Sequence, residues 1–192
     1  MKYLIIILLF PLFVFAQSRY ELSSNPCLLE VSEEVLRSQI GLKEKTGHND
    51  GEHVKKYLLS VGIKTPAPYC QAGQYWCFVQ ACDSLGFSYD LIPIPKSGLA
   101  ISSFNYAKKH GKKVKYIAKQ HDLFSWKISS GWSGHVERIV QTIRNSKVIT
   151  GGFNTSNGLK GSQNEGNCNA YRLRSLRSSI GNLKVYGLVG FK

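Results

Sequence analysis

The sequence predicts an α+β fold, with helices of the N-terminal half packed on an antiparallel β-sheet of the C-terminal half. Two observations carry this. Apolar residues recur at helical spacing as far as about residue 110. Beyond it they fall into short β-branched and aromatic runs separated by Gly, Asn and Ser. The chain has 192 residues, 43% hydrophobic and 19% charged, which suits one ordinary domain with its own core and excludes a disordered chain. Neither an internal repeat nor a low-complexity segment interrupts it.

The first residues read as an address rather than as structure. Met1-Lys2 precedes an apolar run over residues 3–15, and Ala16-Gln17-Ser18 follows. This is the pattern of a secretory signal peptide over residues 1–16, with Val14 and Ala16 at the positions before the cut. The run is shorter than the ~20 residues of a membrane span. The expected mature protein is exported, periplasmic or extracellular. It begins with a lead segment, 17–29, and continues as one domain, 30–192.

A first helix is predicted over 32–45, with Ser32 as its N-cap and Val35, Leu36, Gln39 and Ile40 on one face. Residues 46–51 form a turn. A second helix carries Val54, Tyr57, Leu58 and Val61 at helical spacing and closes at Gly62. Pro66-Ala67-Pro68 is an extended linker. A third helix runs from about Cys70 to Leu85 and stops at Gly86, and a short fourth spans roughly 102–110. Strands are predicted over 114–118, 123–126, 136–142, 148–150 and 185–191, with a tight turn at Arg144-Asn145-Ser146.

Five cysteines in an exported chain leave at least one thiol without an intramolecular partner. Cys70 opens a helix after a Pro-rich linker, and a helix N-terminus offers partial positive charge and unpaired N–H groups. Those features activate a cysteine as a nucleophile and can hold an oxyanion. Such a cysteine needs a base. His48, His53 and His110 lie in polar or Lys-rich surroundings, and His121 is ambiguous. His135 starts the longest strand after the small residues of Gly131-Trp132-Ser133-Gly134. A hairpin turning near 144–147 brings Asn154 toward His135. Taken alone, these three also read as a buried cysteine, a strand-end histidine and a turn asparagine. No spacing of Cys and His suggests zinc, and no cofactor is expected.

In order along the chain, Thr46-Gly47-His48-Asn49-Asp50-Gly51, Val54 with Tyr57-Leu58, Ala67-Pro68-Tyr69-Cys70 and Trp76-Cys77 resemble the start of bacterial CHAP-type peptidoglycan hydrolases, whose text is close to "TGxNDG…V…YL…G.PWCAAFVSWC". Asp122-Leu123 resembles their "GD-I/L", Gly134-His135-Val136 their "GHV", residues 149–155 their "TIEGNT", and Gly190-Phe191 their closing strand. The resemblance covers roughly residues 30–192. It implies a papain-like fold of the NlpC/P60 superfamily and metal-independent cleavage of peptidoglycan amides, as N-acetylmuramoyl-L-alanine amidase or peptide endopeptidase. Cys70 then matches the nucleophile, His135 the general base and Asn154 the asparagine of the third strand; Trp76 and Cys77 match core positions. Three positions depart from the text. The Glu two residues before the Asn is Gly152, the aliphatic residues after "GHV" are Glu137-Arg138, and "AAF" is Gln71-Ala72-Gly73. Glu137 shares a sheet face with His135 and could replace the missing acid, although a Glu on a strand is commonly exposed. If Cys70 stays free, a Cys27–Cys168 bridge remains open, while Cys77 and Cys82 should be buried thiols.

Charge points to a partner. Residues 1–103 hold 9 basic and 9 acidic side chains, and residues 104–192 hold 16 and 3, so the whole excess of +13 sits in the second half. With export and a cell-wall resemblance, that half reads as a docking surface for an anionic envelope. Lys108, Lys109, Lys112, Lys113, Lys115 and Lys119 form its densest run. No nucleic-acid motif accompanies it, so nucleic acid is not an expected partner, and a monomer is expected. The competing reading is a non-catalytic wall-binding or repurposed module on the same fold, which the Gly152 departure favours.

Overall fold

The computed structural model describes residues 17–144, 146–156 and 166–192; the signal peptide expected at 1–16 and Asn145 of the predicted turn lie outside them. In chain order the elements are β1 (Ser18–Leu22), α1 (Pro26–Gln39), α2 (Glu52–Ser60), α3 (Cys70–Leu85), a 3₁₀ turn (Tyr89–Leu91), α4 (Ser102–His110), β2 (Lys112–Val114), β3 (Leu123–Ile128), β4 (Gly134–Thr142), β5 (Lys147–Thr155), β6 (Cys168–Ser175) and β7 (Leu183–Phe191). The strands form one sheet in the order β2-β1-β7-β3-β4-β5-β6. The α+β class holds, and the four helices precede every strand except β1.

The sheet is mixed rather than wholly antiparallel. β1 runs parallel to β7, from Ser18 opposite Gly187 to Leu22 opposite Phe191. The chain thus enters through the sheet before it builds the helices, and the segment before residue 30 belongs to the fold. β1 carries no apolar alternation because one of its inward residues is Arg19. That guanidinium is 1% exposed and grips Asp122 with two bonds, Nε to Oδ2 at 2.8 Å and Nη2 to Oδ1 at 2.9 Å. The two buried charges satisfy each other.

α1 begins at Pro26, not Ser32. The Asn25 side chain accepts from the Cys27 N–H at 2.9 Å and Pro26 occupies the first turn, a stronger start than a mid-helix serine. Ser32 instead donates to the Leu29 carbonyl and accepts from Arg138 inside the core. α1 also stops early, at Gln39, because residues 41–44 turn to pair with 167–169 at the start of β6. α3 ends as expected at Gly86, whose φ of 66° is the left-handed cap.

α3 is the central helix. Val136 on β4 packs with Phe78, Ala81 and Cys82 of α3, and Phe153 on β5 packs with Ala72, Cys77, Leu36 and Tyr57. The far side of the sheet is closed by Phe124, Trp126, Ile139, Leu176, Leu183 and Leu188. The cysteines, all among the described residues, are all free. Cys27 is exposed at the start of α1. Cys168 is buried at the start of β6, its thiol donating to the Thr155 carbonyl, beside the opposite end of α1 where Asn169 donates to the Gln39 carbonyl. Twelve helical residues set these ends about 18 Å apart, far beyond the ~7 Å that a disulfide tolerates. A Cys27–Cys168 bridge is therefore excluded. Thiol titration of the denatured, unreduced protein should give five thiols per chain; three would overturn this.

Candidate active site

The site begins with the helix start. Tyr69 caps α3 without a side-chain hydrogen bond, and the first backbone bond runs from Gly73 N–H to the Tyr69 carbonyl at 2.8 Å. The N–H groups of Cys70, Gln71 and Ala72 therefore have no helical acceptor. Cys70 sits at the first helical position, nearly buried, and opens on a cleft of ≈ 370 Å³ walled by Ile63, Pro68, Leu99, Trp132 and Gly134. Among the described residues no charged side chain lines this cleft, while the Trp132 indole stands 73% exposed at its rim.

β4 supplies the histidine. Val136 and Arg138 turn to the helices, Arg138 reaching Ser32 on α1 at 2.7 Å and lying over the Phe78 ring on α3. His135 and Glu137 share the other face, with the Trp126 ring opposite His135 on β3. His135 Nε2 lies 3.0 Å from Glu137 Oε1, and the Cys70 side chain is near enough to the same imidazole to raise its pKa. With Nε2 taken by the carboxylate, Nδ1 is the nitrogen left for the sulfur. Glu137 is fully buried and held from three sides. Thr150 Oγ1 donates to its Oε2 at 2.6 Å, Arg174 Nε to the same oxygen at 2.8 Å, and Arg174 Nη2 to Oε1 at 2.5 Å.

Burial alone would neutralise His135, but the neighbouring Cys70 side chain and the bonded Glu137 carboxylate outweigh desolvation and raise its pKa to about 9. Burial likewise works against the charge of Glu137, yet Arg174 and His135 hold it well below the usual carboxylate range. The site thus favours a charged imidazolium on a charged carboxylate. A raised histidine pKa stabilises the fold fully below its ordinary 6.5 and loses that contribution as pH climbs through about 9. A depressed glutamate pKa contributes above the ordinary 4.5 and loses it as pH falls through the folded value. Melting temperature should therefore peak between about pH 4.5 and 6.5 and drop toward pH 9. His135→Gln should flatten the alkaline arm; equal arms in both proteins would contradict the assignment.

Asn154 does not join this group. It has φ of 51° at a register irregularity between β5 and β6, and its amide donates to Asn49 Oδ1 at 2.6 Å, the Gly166 carbonyl at 3.0 Å and Glu44 Oε1 at 3.3 Å. Its work is to tie the 44–50 loop to the sheet. The carboxylate beside His135 belongs to Glu137, directly across the β4–β5 ladder from Gly152. A Cβ on Gly152 would stand 2.9 Å from Glu137 Cγ, so the glycine makes the room that the glutamate uses. Elsewhere, His121 Nδ1 pairs with Glu33 Oε2 at 2.8 Å, and His53 and His110 lie against Tyr57 and Tyr106. Trp76 packs edge-on against Tyr57, and Cys77 is fully buried, its pKa pushed up to about 12 by desolvation.

Among the described residues no group of three or more His, Cys, Asp or Glu is placed to hold a metal ion, and no helix is long and apolar enough to cross a membrane. No family model, curated protein or solved structure matches the chain.

Proposed function

We propose that the protein is an exported cysteine hydrolase, papain-like in arrangement, that cleaves amide bonds in bacterial peptidoglycan. The observation that carries the chemistry is a cysteine at a helix N-terminus, near a buried histidine whose Nε2 is held by a buried, ion-paired carboxylate. The substrate class rests on the ordered resemblance to CHAP hydrolases. The competing non-catalytic reading drew on the missing acid at residue 152, and Glu137 fills that vacancy from the opposite strand.

The Cys70 sulfur, as thiolate, attacks the amide carbonyl in the cleft, and the carbonyl π electrons move onto oxygen. The Cys70 N–H, without a helical acceptor, is positioned to donate to that oxyanion. Imidazolium His135 gives its proton to the departing amine, leaving a thioester. His135, now neutral, takes a proton from water as the water attacks, and the thiol is released with a carboxylic acid. Glu137 keeps the ring in one tautomer and orientation throughout.

The test is mass spectrometry of purified peptidoglycan digested by the mature chain carrying Cys27→Ser, which removes the exposed thiol. New amine and carboxyl termini should appear and identify the bond. Iodoacetamide pretreatment should abolish them. Equal release by the alkylated protein would sink the cysteine mechanism.

The basic run is displayed for docking. Lys108 and Lys109 are exposed on the last turn of α4, Lys112 and Lys113 on the edge strand β2, and Lys115 and Lys119 beyond it. Among the described residues Lys119 alone of these pairs with an acid, Glu21 at 3.3 Å. Replacing Lys108, Lys109, Lys112 and Lys113 by Gln should weaken sedimentation with cell walls several-fold at low salt and little at high salt, while the rate of Cys70 alkylation holds. A salt-independent loss would argue against electrostatic docking.

A further inference from the structure

Beside the Cys70 cleft lies a second groove, of ≈ 300 Å³, between the 45–51 loop, the start of α2 and the 63–66 linker. The two hollows meet at Ile63, which lines both, and the linker from Ile63 to Pro68 forms a continuous wall along them. Their chemistry differs. Among the described residues the Cys70 cleft has no charged wall, whereas Lys45, Lys55 and Lys64 all line the second groove.

These three lysines are exposed, come from three separate segments, and among the described residues none forms an ion pair. The two acids on the rim, Asp50 and Glu52, offset part of this charge and leave it net positive. Asp50 accepts from the Thr46 N–H and hydroxyl at 2.9 Å each, Glu52 stands in the first turn of α2, and among the described residues neither forms an ion pair. That helix starts at Gly51 with no side-chain cap, so its free N–H groups add to the positive character. The groove is also preformed. Asn154 holds Asn49 and Glu44, and Glu44 in turn accepts from the Asn49 N–H at 2.8 Å, which fixes the loop that carries Lys45.

We infer that this lysine groove is a subsite for a carboxylate of the peptide part of the substrate, so that the scissile amide lies in the uncharged cleft and an acidic group of the same strand of peptide lies past Ile63. The inference rests on the hydrolase reading for the position of the scissile bond, but not for the recognition itself. It gives Asn154 a role as a positioning residue for specificity. It also makes the substrate an acidic peptide rather than a bare glycan.

The experiment uses the mature chain and two synthetic peptidoglycan stem peptides, one with free carboxylates and one with the same carboxylates amidated. Binding is titrated calorimetrically on Cys70→Ala protein, and turnover is measured on the wild type. The free acid should bind about tenfold more tightly than the amide and show a KM lower by a similar factor. In the triple variant Lys45→Gln/Lys55→Gln/Lys64→Gln that ratio should fall to about one. A wild-type ratio near one, or a ratio that survives the triple substitution, overturns the subsite, as does lysine-dependent binding of inorganic phosphate without binding of the peptide acid. Lysine-dependent binding of the acid with no turnover by any preparation would leave the subsite standing and remove the hydrolase reading instead.

Discussion

Glu137→Gln is expected to lower kcat on peptidoglycan by about 10³–10⁴-fold, the scale of losing the charge that holds a catalytic imidazole in its productive tautomer. The amide keeps the shape of the carboxylate but can present its NH₂ to His135 Nε2, which reverses the required donor and acceptor. It also removes the charge of a buried carboxylate that Arg174 grips, which destabilises the fold. Rates must therefore be taken on protein shown to be folded at the assay temperature. The informative partner is a transplant. Residues 137 and 152 face each other across β4 and β5, and a side chain at 152 would enter the space that Glu137 occupies. Moving the acid back, as Glu137→Val/Gly152→Glu, should recover at least about tenfold of what Glu137→Val alone loses, because either strand can deliver a carboxylate to the same place beside His135 and Arg174. A folded double variant no faster than Glu137→Val would show that the acid on β4 is not interchangeable with one on β5. The cross-strand account of residue 152 would then be lost.

This exchange also explains what the sequence could and could not reveal. Cys70 and His135 were legible because each is announced locally, the cysteine by a linker and a helix start, the histidine by small residues before a strand. Glu137 was visible as a same-face neighbour of His135. What decides its role is burial, and burial comes from Arg174 on β6, 37 residues away. β6 itself is hard to read, since its residues Asn169, Arg172 and Arg174 break apolar alternation and its outward Leu173 and Tyr171 are exposed. Asn154 misled for a geometric reason. Its left-handed backbone at the β5 irregularity takes it out of the strand's regular alternation and into the 44–50 loop. β1 went unseen because a buried Arg19 pairs with an acid more than a hundred residues away. In each case a long-range ion pair or backbone irregularity made the local pattern point the wrong way, whereas helices α2, α3 and α4, stabilised by their own apolar stripes, were read close to their observed bounds.

The third departure from the CHAP text has the same logic in the core, and it predicts a large stability effect. The resembled text places Phe three residues after the nucleophile and Gly just before the strand asparagine; here those positions are Gly73 and Phe153. The two touch. A Cβ on Gly73 would stand 2.3 Å from Phe153 Cγ, and the Phe153 ring, 1% exposed, packs edge-on against Tyr57 with centroids 5.0 Å apart. The aromatic ring that α3 would present to the sheet is thus presented by the sheet to α3. Phe153→Gly should cost at least the ~3–5 kcal/mol of a buried Phe truncation. Gly73→Phe should be worse placed than a simple overpacking of ~1–3 kcal/mol, since it drives the first turn of α3, and with it Cys70, away from His135. The double variant Gly73→Phe/Phe153→Gly returns the ring from the opposite side and should be more stable than the sum of the singles by about 2–3 kcal/mol, within the range of contacting pairs. Urea unfolding of all four proteins gives that coupling directly. Additive singles would mean that residues 73 and 153 do not share one space, and would remove the packing by which α3 holds the thiol against the imidazole.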